Sequence, residues 1–522
     1  MHDKYKLFSY NIPVLLIIVV LWGIFFINGS FALKLMPPDE PKYASAAEVM
    51  LGTGDFLTPT FNCKPRFDKP PMIYWFIALS YSLVGISDWA ARIPSILASL
   101  GVTLLIYIFC KKEFDQKTGV MSAIVFSTFL HVWVMGRAVA PEMVLVLFMT
   151  ASIYCLHFGL KERRNVFIVL GYFFSGLAFM TKGPLGALIP FGVVFLYCTL
   201  KDGFVVTVRR LANPVGIILF LAVILPWYLS MMKIYGYKYF SEFFLFHNIY
   251  RFTGKARQHS FPFYYYIPVF LGSIYLWLPL LPSCAASVRD RFRDKGTELF
   301  LFIWFAFVFL FFTISVNKLH NYILIAYPPV AILLGLHLTK PDIVTLSVKR
   351  LFAGLVIIEL AAVLLMRFFI INISAGMLFT ASIIPLISFI IFLKGDSSGK
   401  VCSLNLLKAI CLLLIINLYF AGYAGKIEPA YEYAYKGSQS QKDSLYSYRK
   451  DREDFVFYAH ACVSAIGDTK VLDDKLKEQG KLMLIAQERY MKELGHYSKD
   501  RVIPFEDIDG RRNYIMHMTF SR

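Results

Sequence analysis

Residues 12–50 read IPVLLIIVVLWGIFFINGSFALKLMPPDEPKYASAAEVM, and the change of character partway along this stretch decides what kind of molecule this is. From about Ile12 to Ala32 the chain is apolar and long enough to cross a bilayer. It follows a basic start, MHDKYK, but exceeds a signal-peptide core and lacks a small-residue cleavage site, so it reads as a retained first span. Immediately after it come two carboxylates, Asp39 and Glu40, set between prolines. Pro41 suits the first helical position, where its missing N–H costs nothing, so a helix is expected to run through Leu51 and to end at Gly52. Both acids would lie at the positive end of that helix dipole, which keeps them ionised. A lone acid before a helix is ordinarily a cap. A pair beside a membrane mouth, sharing its loop with several cations, is also a candidate reaction centre, because juxtamembrane ionisable groups are costly without a partner.

The whole chain agrees with the first span. Of 522 residues, 57% are hydrophobic and 17% charged, with a mean hydropathy of +0.58, which no water-facing surface of ordinary size accommodates. The 49 Phe, 31 Tyr and 7 Trp suit lipid contact and interfacial belts. The formal charge is +18, of which residues 424–522, with 17 basic and 16 acidic side chains, contribute only +1. The excess therefore belongs to the apolar part, where basic residues are scattered among spans. That pattern fits inner loops and anionic headgroups and argues against nucleic acid.

Windows of about 20 residues mark thirteen candidate spans, near 11–32, 93–110, 118–136, 141–160, 165–181, 184–200, 213–231, 262–284, 297–315, 322–338, 351–371, 376–393 and 401–422. With the N-terminus inside, Lys111–Lys112, Lys161 with Arg163–Arg164, Lys201 with Arg209–Arg210, the Arg289–Lys295 cluster, Lys349–Arg350 and Lys394 fall on the cytoplasmic side. An odd number of spans then puts the loop 33–92 and everything after about 424 outside. The expected domains are a membrane domain, 1–423, and an outer α/β domain, 424–522, in which acidic and basic residues alternate around FVFYAHACVSAI and KLMLIAQERY. Six of the eight cysteines lie in or beside apolar runs, where a thiol behaves as a small hydrophobe. Cys63 and Cys462 fall in outer segments, where an oxidising compartment would permit a disulfide, although two unpatterned cysteines do not by themselves require one.

Polar motifs gather in the outer segments. FNCKPRFDKPPMIYWF supplies Lys64, Arg66, Asp68 and Lys69; GRAVAPEM supplies Arg137 and Glu142; MTKGP supplies Lys182; SVNKLHNYILIAYPP supplies Lys318, His320 and Tyr322. Between 235 and 266 the sequence YGYKYFSEFFLFHNIYRFTGKARQHSFPFYYY adds His247, Asn248, Arg251, Lys255, Arg257 and His259 among dense aromatics. Taken singly, each is equally an interfacial anchor or a snorkelling cation. Taken together they describe an outward cavity with carboxylates, cations and aromatic walls, suited to a lipid phosphate. Two histidines twelve residues apart are weak evidence for a metal. No Walker loop and no HExxH helix appears, so ATP-driven transport and zinc proteolysis lack their usual parts.

In order and combination, PPDEPKYA, GDFLTPTFN, RFDKPPMIYW, DWAARIPS, GRAVAPEM, TKGP, FHNIYRF, HSFPFYYY and NKLHNYILIAYPP resemble the bacterial GT-C glycosyltransferases of the aminoarabinose lipid A transferase family. The resemblance implies a mostly α, polytopic inner-membrane enzyme whose periplasmic site takes a sugar from undecaprenyl phosphate and passes it, with inversion, to lipid A or another envelope acceptor. It implies Asp39, followed by Glu40, Lys42 and Tyr43 in a DExRY-like motif, as the essential first-loop aspartate, with Asp39 and Glu40 expected as the catalytic carboxylates. Lys69 is the motif lysine facing the donor phosphate and Tyr322 a substrate-binding tyrosine; Arg66, Lys42 and Arg251 are expected to assist at the phosphate. Tyr43, Arg137, Glu142, Lys182, His247, His259 and Lys318 are expected around the substrate cavity. Lys42 stands where the family usually has arginine, and Glu142 where it commonly has aspartate, changing reach while keeping charge. No nucleotide or obligatory metal is expected, with a divalent ion near His259 left open. Two rivals remain, a lipid or polysaccharide transporter and a protein O-mannosyltransferase-like enzyme; a transporter would place polar groups at mid-span, whereas these charges sit at the outer ends.

Overall fold

The computed structural model describes residues 12–255, 260–289, 291–340, 343, 345–369, 398–441, 444–507 and 510–520. The chain packs as two compact units: 1–28, 68–72 and 95–415 in the first, and 29–67, 73–94 and 416–522 in the second. The expected division near residue 424 is linear along the chain; by contacts, most of the first loop groups with the tail.

The first unit is helical. Among the described residues seven helices are long and apolar enough to cross a membrane, or eight if one bent pair is a single span. The thirteen expected windows exceed this count, which covers the described residues alone. Ile12–Phe26 is helical but short. The 118–136 window breaks into Gln116–Ser127 and Leu130–Met135 where Phe129 is extended; the Thr128 hydroxyl donates to the last carbonyls of the first helix, those of Ile124 (2.9 Å) and Val125 (3.0 Å). The 262–284 window bends by 92° between Phe263–Ser273 and Tyr275–Arg289, where a tighter 3₁₀ run containing Pro279 replaces α geometry. The 351–371 window lies largely within helix Leu346–Phe369, and the 401–422 window within Ser398–Gln441; 376–393 lies outside the described residues.

Helices Asn165–Lys182 and Leu185–Asp202 approach so closely that a Cβ on Gly186 would stand 2.2 Å from the backbone of Ala178, the close approach that small residues permit between apolar helices. Elsewhere indole N–H groups tie helices together, Trp22 to the Ser99 hydroxyl at 2.8 Å and Trp133 to the Phe25 carbonyl at 2.7 Å.

The second unit is built on a five-stranded sheet. The strands are β3 (Leu445–Tyr448), β4 (Val463–Ile466), β5 (Lys481–Gln487), β6 (Tyr497–Glu506) and β7 (Arg512–Phe520), in the order β4-β3-β5-β7-β6; a small hairpin, β1 (Thr60–Phe61) and β2 (Lys64–Pro65), precedes them in the chain. β3 is parallel to β4 and β5, while β7 is antiparallel to β5 and β6. Successive side chains point to opposite faces. Leu445, Met483, Ile485 and Ile515 meet Tyr431, Phe455 and Val456 in one core, and Tyr446, Leu482, Leu484 and Met516 meet Leu472 and Leu476 of helix Thr469–Gln479 in the other. Burial on both faces explains why KLMLIAQ is an almost unbroken apolar run.

β4 is an edge strand, and edges must be covered. The hairpin does this: the Asn62 amide donates to the Val463 carbonyl (2.8 Å) and accepts from its N–H (2.7 Å), while Cys63 and Cys462 form a disulfide. The two-residue turn Asn62–Cys63 has positive φ at both positions, 51° and 61°, as the favoured hairpin twist requires.

Candidate functional site

In the first unit a cavity of about 460 Å³ is lined by Asp68, Lys69, Lys182, His247, Asn248, Arg251 and Tyr322 on its polar side and by Phe244, Phe252, Phe311, Phe312, Leu185 and Leu188 on its apolar side. Each polar residue arrives by a specific local device. Lys182 ends helix Asn165–Lys182, where the carbonyl end of the dipole favours a cation. Gly183 stops that helix at φ +77°, and a Cβ there would meet the Phe243 ring at 2.9 Å, so this turn requires glycine. His247, Asn248 and Arg251 come from a wide π-helical segment, Ser241–Tyr250, and the residue after it; the segment follows a kink at Gly236 in helix Pro214–Phe240. Such turns redirect side chains that a regular helix would spread around its axis. Asn317 fastens the end of this wall by donating to the Arg251 carbonyl at 2.6 Å.

Glu142 is the hub beside the cavity. It begins helix Glu142–Glu162, and its Oε1 accepts from Lys182 Nζ at 2.9 Å and from Asn321 Nδ2 at 2.8 Å. The same Lys182 ammonium lies 4.8 Å from the centre of the Tyr322 ring. Glu142, Lys182, Asn321 and Tyr322 line a smaller void of about 20 Å³. A buried carboxylate with two good donors is satisfied, and it orients both the amine and the neighbouring tyrosine. Lys69 Nζ donates to the Asp68 carbonyl at 3.1 Å and lies 3.7 Å from the Asp68 carboxylate.

The second unit carries the carboxylate pair at the start of helix Glu40–Thr53, which ends at Gly54 (φ 72°) instead of Gly52. Asp39 occupies the cap position but its side chain makes no capping bond, and it is 73% exposed. The capping explanation therefore does not account for it. Glu40 is buried, accepting from the Met36 N–H at 2.8 Å and from Arg92 Nη2 at 2.7 Å. Lys42 lies 3.8 Å from Asp39 and 3.4 Å from Glu453. The Arg66 guanidinium sits 4.6 Å over the Tyr43 ring, and Tyr43 packs against Tyr74.

Of the residues expected at the site, Lys69, Lys182, His247, Arg251 and Tyr322 line the large cavity and Glu142 adjoins it; Asp39, Glu40, Lys42, Tyr43 and Arg66 belong to the other unit. Arg137 and Lys318 line neither void. Arg137 is buried with its guanidinium 4.2 Å over Trp133 and donates to the Asn28 carbonyl at 2.8 Å. Lys318 is buried and donates to the Ser315 carbonyl, and that burial lowers the pKa of its amine. His259 lies outside the described residues. Among those described, no group of three or more His, Cys, Asp or Glu is arranged to hold a metal ion. Sequence reasoning passed over Asn321, whose only signal was its place in the NKLHNY motif, and Arg92, a cation at the edge of an apolar window within DWAARIPS.

Residues 68–229 match the family model of dolichyl-phosphate-mannose-protein mannosyltransferases. An uncharacterized protein of Aquifex aeolicus is 38% identical over 317 residues, 61% of this chain and 71% of that protein. The undecaprenyl phosphate-α-4-amino-4-deoxy-L-arabinose arabinosyl transferase 2 of Proteus mirabilis is 33% identical over 308 residues, 58% of this chain; the match spans 55% of that relative's length. Among solved structures, ArnT from Cupriavidus metallidurans bound to undecaprenyl phosphate shares the fold over 97% of both chains, with a TM-score of 0.76 and 20% identity.

Proposed function

We propose that this chain, which belongs to the GT-C glycosyltransferases of the aminoarabinose transferase family, transfers a sugar from undecaprenyl phosphate to lipid A or a related envelope acceptor on the periplasmic face of the inner membrane. The observation that carries this reading is the cavity in which Lys69, Lys182, Arg251 and His247 meet a wall of phenylalanines. Three fixed cations suit a phosphate, and the apolar wall suits a polyprenyl tail. The named relatives and the solved neighbour bound to undecaprenyl phosphate support the same donor.

In this reading the acceptor oxygen attacks the anomeric carbon opposite the phosphate. As the new C–O bond forms, the bond from C1 to the phosphate oxygen breaks and polyprenyl phosphate leaves with the bonding pair. Lys69, Arg251 and Lys182 stabilise the charge growing on that oxygen; removing one such donor commonly costs about 100-fold or more in rate. Asp39 meets the acceptor. A sugar hydroxyl must lose its proton to Asp39, whereas an anionic lipid A phosphate has none to lose and needs only orientation.

The test is transfer by membranes carrying Asp39→Asn or Lys69→Ala, with protein level held constant. Both substitutions are expected to abolish it, and retained transfer overturns the assignment. Mass spectrometry of lipid A, glycans and envelope proteins from cells with and without the gene identifies sugar and acceptor. The match to the mannosyltransferase model favours, as a second reading, a Ser/Thr hydroxyl acceptor, which the same spectra would reveal. Insensitivity to EDTA would rule out an essential divalent ion.

A further inference from the structure

One short stretch of the C-terminal domain, residues 453–463, grips the helix that bears Asp39 at several separate points within the second unit. The Tyr458 hydroxyl accepts from the Leu35 N–H at 2.7 Å and donates to Asp88 Oδ1 at 2.6 Å. Leu35 lies just ahead of the Glu40–Thr53 helix, and its N–H has no helical carbonyl to bond. The Tyr458 ring stacks on Tyr431 at 3.9 Å and lies 5.6 Å beneath the Lys34 ammonium. Burial, with Asp88 alongside, pushes the Tyr458 pKa up, so the phenol stays protonated and can both donate and accept. Five residues earlier, Glu453 holds Lys42, the same amine that stands 3.8 Å from Asp39. Beyond it, His460 bonds Glu48 on the same helix, and Cys462 is joined to Cys63.

Ordinary packing also mixes polar with apolar contacts, and this stretch buries Phe455, Val456 and Ala459 as well; what sets it apart is where its polar bonds fall. Here polar bonds converge on the few residues before Asp39 and on its neighbour Lys42, which is where small displacements move the carboxylate most.

We propose that the C-terminal domain positions the acceptor side of the reaction, with Tyr458 as a positioning residue whose hydroxyl fixes the segment Lys34–Met36 that leads into Asp39. This rests on the assignment of Asp39 to the acceptor. The donor cavity, lined by residues of the first unit, is not gripped by Tyr458, so the effect falls on turnover and not on donor affinity.

The experiment compares full-length wild type, Tyr458→Phe, Glu453→Gln and Asp39→Asn in lipid nanodiscs, with activity expressed per folded molecule. Tyr458→Phe keeps the ring stack and loses both hydrogen bonds. Its kcat is expected to fall about tenfold while the donor KM stays within about twofold. Amide exchange over residues 33–40 is expected to quicken while peptides from 142–162 are unaffected. Glu453→Gln, which guards against poor folding of the first variant, is expected to lower kcat about threefold with the same KM. Wild-type kcat in either variant, or unchanged exchange over 33–40 in Tyr458→Phe, overturns the proposal while an inactive Asp39→Asn keeps the assignment of the acid. A fully active Asp39→Asn overturns that assignment and this proposal with it. A variant that merely folds less, with kcat per folded molecule intact, also overturns it.

Discussion

Arg92 and Glu40, 52 residues apart, form a buried ion pair with Nη2 2.7 Å from Oε2 and side chains 1% and 10% exposed. Arg92 also donates to the carbonyls of Asp88 and Lys34, both at 3.0 Å. The second carboxylate of the pair is thereby committed to holding the entry of the helix, which leaves Asp39 as the acid on which the proposed chemistry rests.

Replacing Arg92 by Leu strands a buried charge on Glu40. The expected cost is about 3–5 kcal/mol, the usual penalty for breaking a buried pair from one side. Adding Glu40→Gln should recover part of it, because a neutral amide is cheaper to bury. Thermal unfolding of the purified single and double variants measures both.

Glu142→Ala removes the acceptor shared by Lys182 and Asn321 and lets the amine beside Tyr322 swing free. Binding of undecaprenyl phosphate, followed by titration, is expected to weaken about tenfold, because the Lys182 ammonium is no longer held in place and its ordering then costs binding energy. Glu142→Asp keeps the charge and should retain most of the affinity.

The Cys63–Cys462 bond should resist thiol labelling in native protein and expose two further reactive thiols on reduction. The Cys63→Ser, Cys462→Ser double variant is expected to lose about 2–4 kcal/mol. A melting temperature unchanged by both reduction and substitution would refute this. The loss should appear in the unit that contains the sheet, since the hairpin there covers edge strand β4.

His460 has its pKa raised, first by the hydrogen bond to Glu48 and then by that group's charge, against an opposing effect of burial. A raised pKa means the folded state holds the proton more tightly. The stabilisation is therefore fully present below the unfolded value, about 6.5, and is lost as pH rises through the higher folded value. Melting of the wild type should fall across that window, and His460→Gln should flatten that part of the curve. The ring is partly exposed, so the effect is modest and shrinks in high salt.

The large-scale character of the chain is legible in the sequence because bilayer crossing depends on the summed hydropathy of about twenty neighbours. Helices such as Glu142–Glu162 and Thr297–Ile314 match their apolar windows closely. The interruptions are less visible. The break after Thr128 lies where the backbone of Phe129 turns extended, and the bend near Ile274 where a 3₁₀ run begins, neither of which changes local hydropathy. Five of the expected site residues, Lys69, Lys182, His247, Arg251 and Tyr322, line one cavity. Arg137 and Lys318 carried the same signal, a charge at the end of an apolar run, but neither lines the cavity: Arg137 is satisfied by the Asn28 carbonyl, and Lys318 by the carbonyl of Ser315, a lining residue.

Read alone, the sequence determined that this is a multi-span membrane chain with a mixed α/β tail, and that its polar motifs cluster between spans. Those properties follow from neighbours along the chain. Tertiary structure alone decided that Glu40 belongs to Arg92, that Glu142 belongs to Lys182 and Asn321, and that Cys63 finds Cys462 across 399 residues. Each is a contact between segments far apart in sequence, and only the packing that joins those segments selects one partner from the many charges and thiols a linear reading offers.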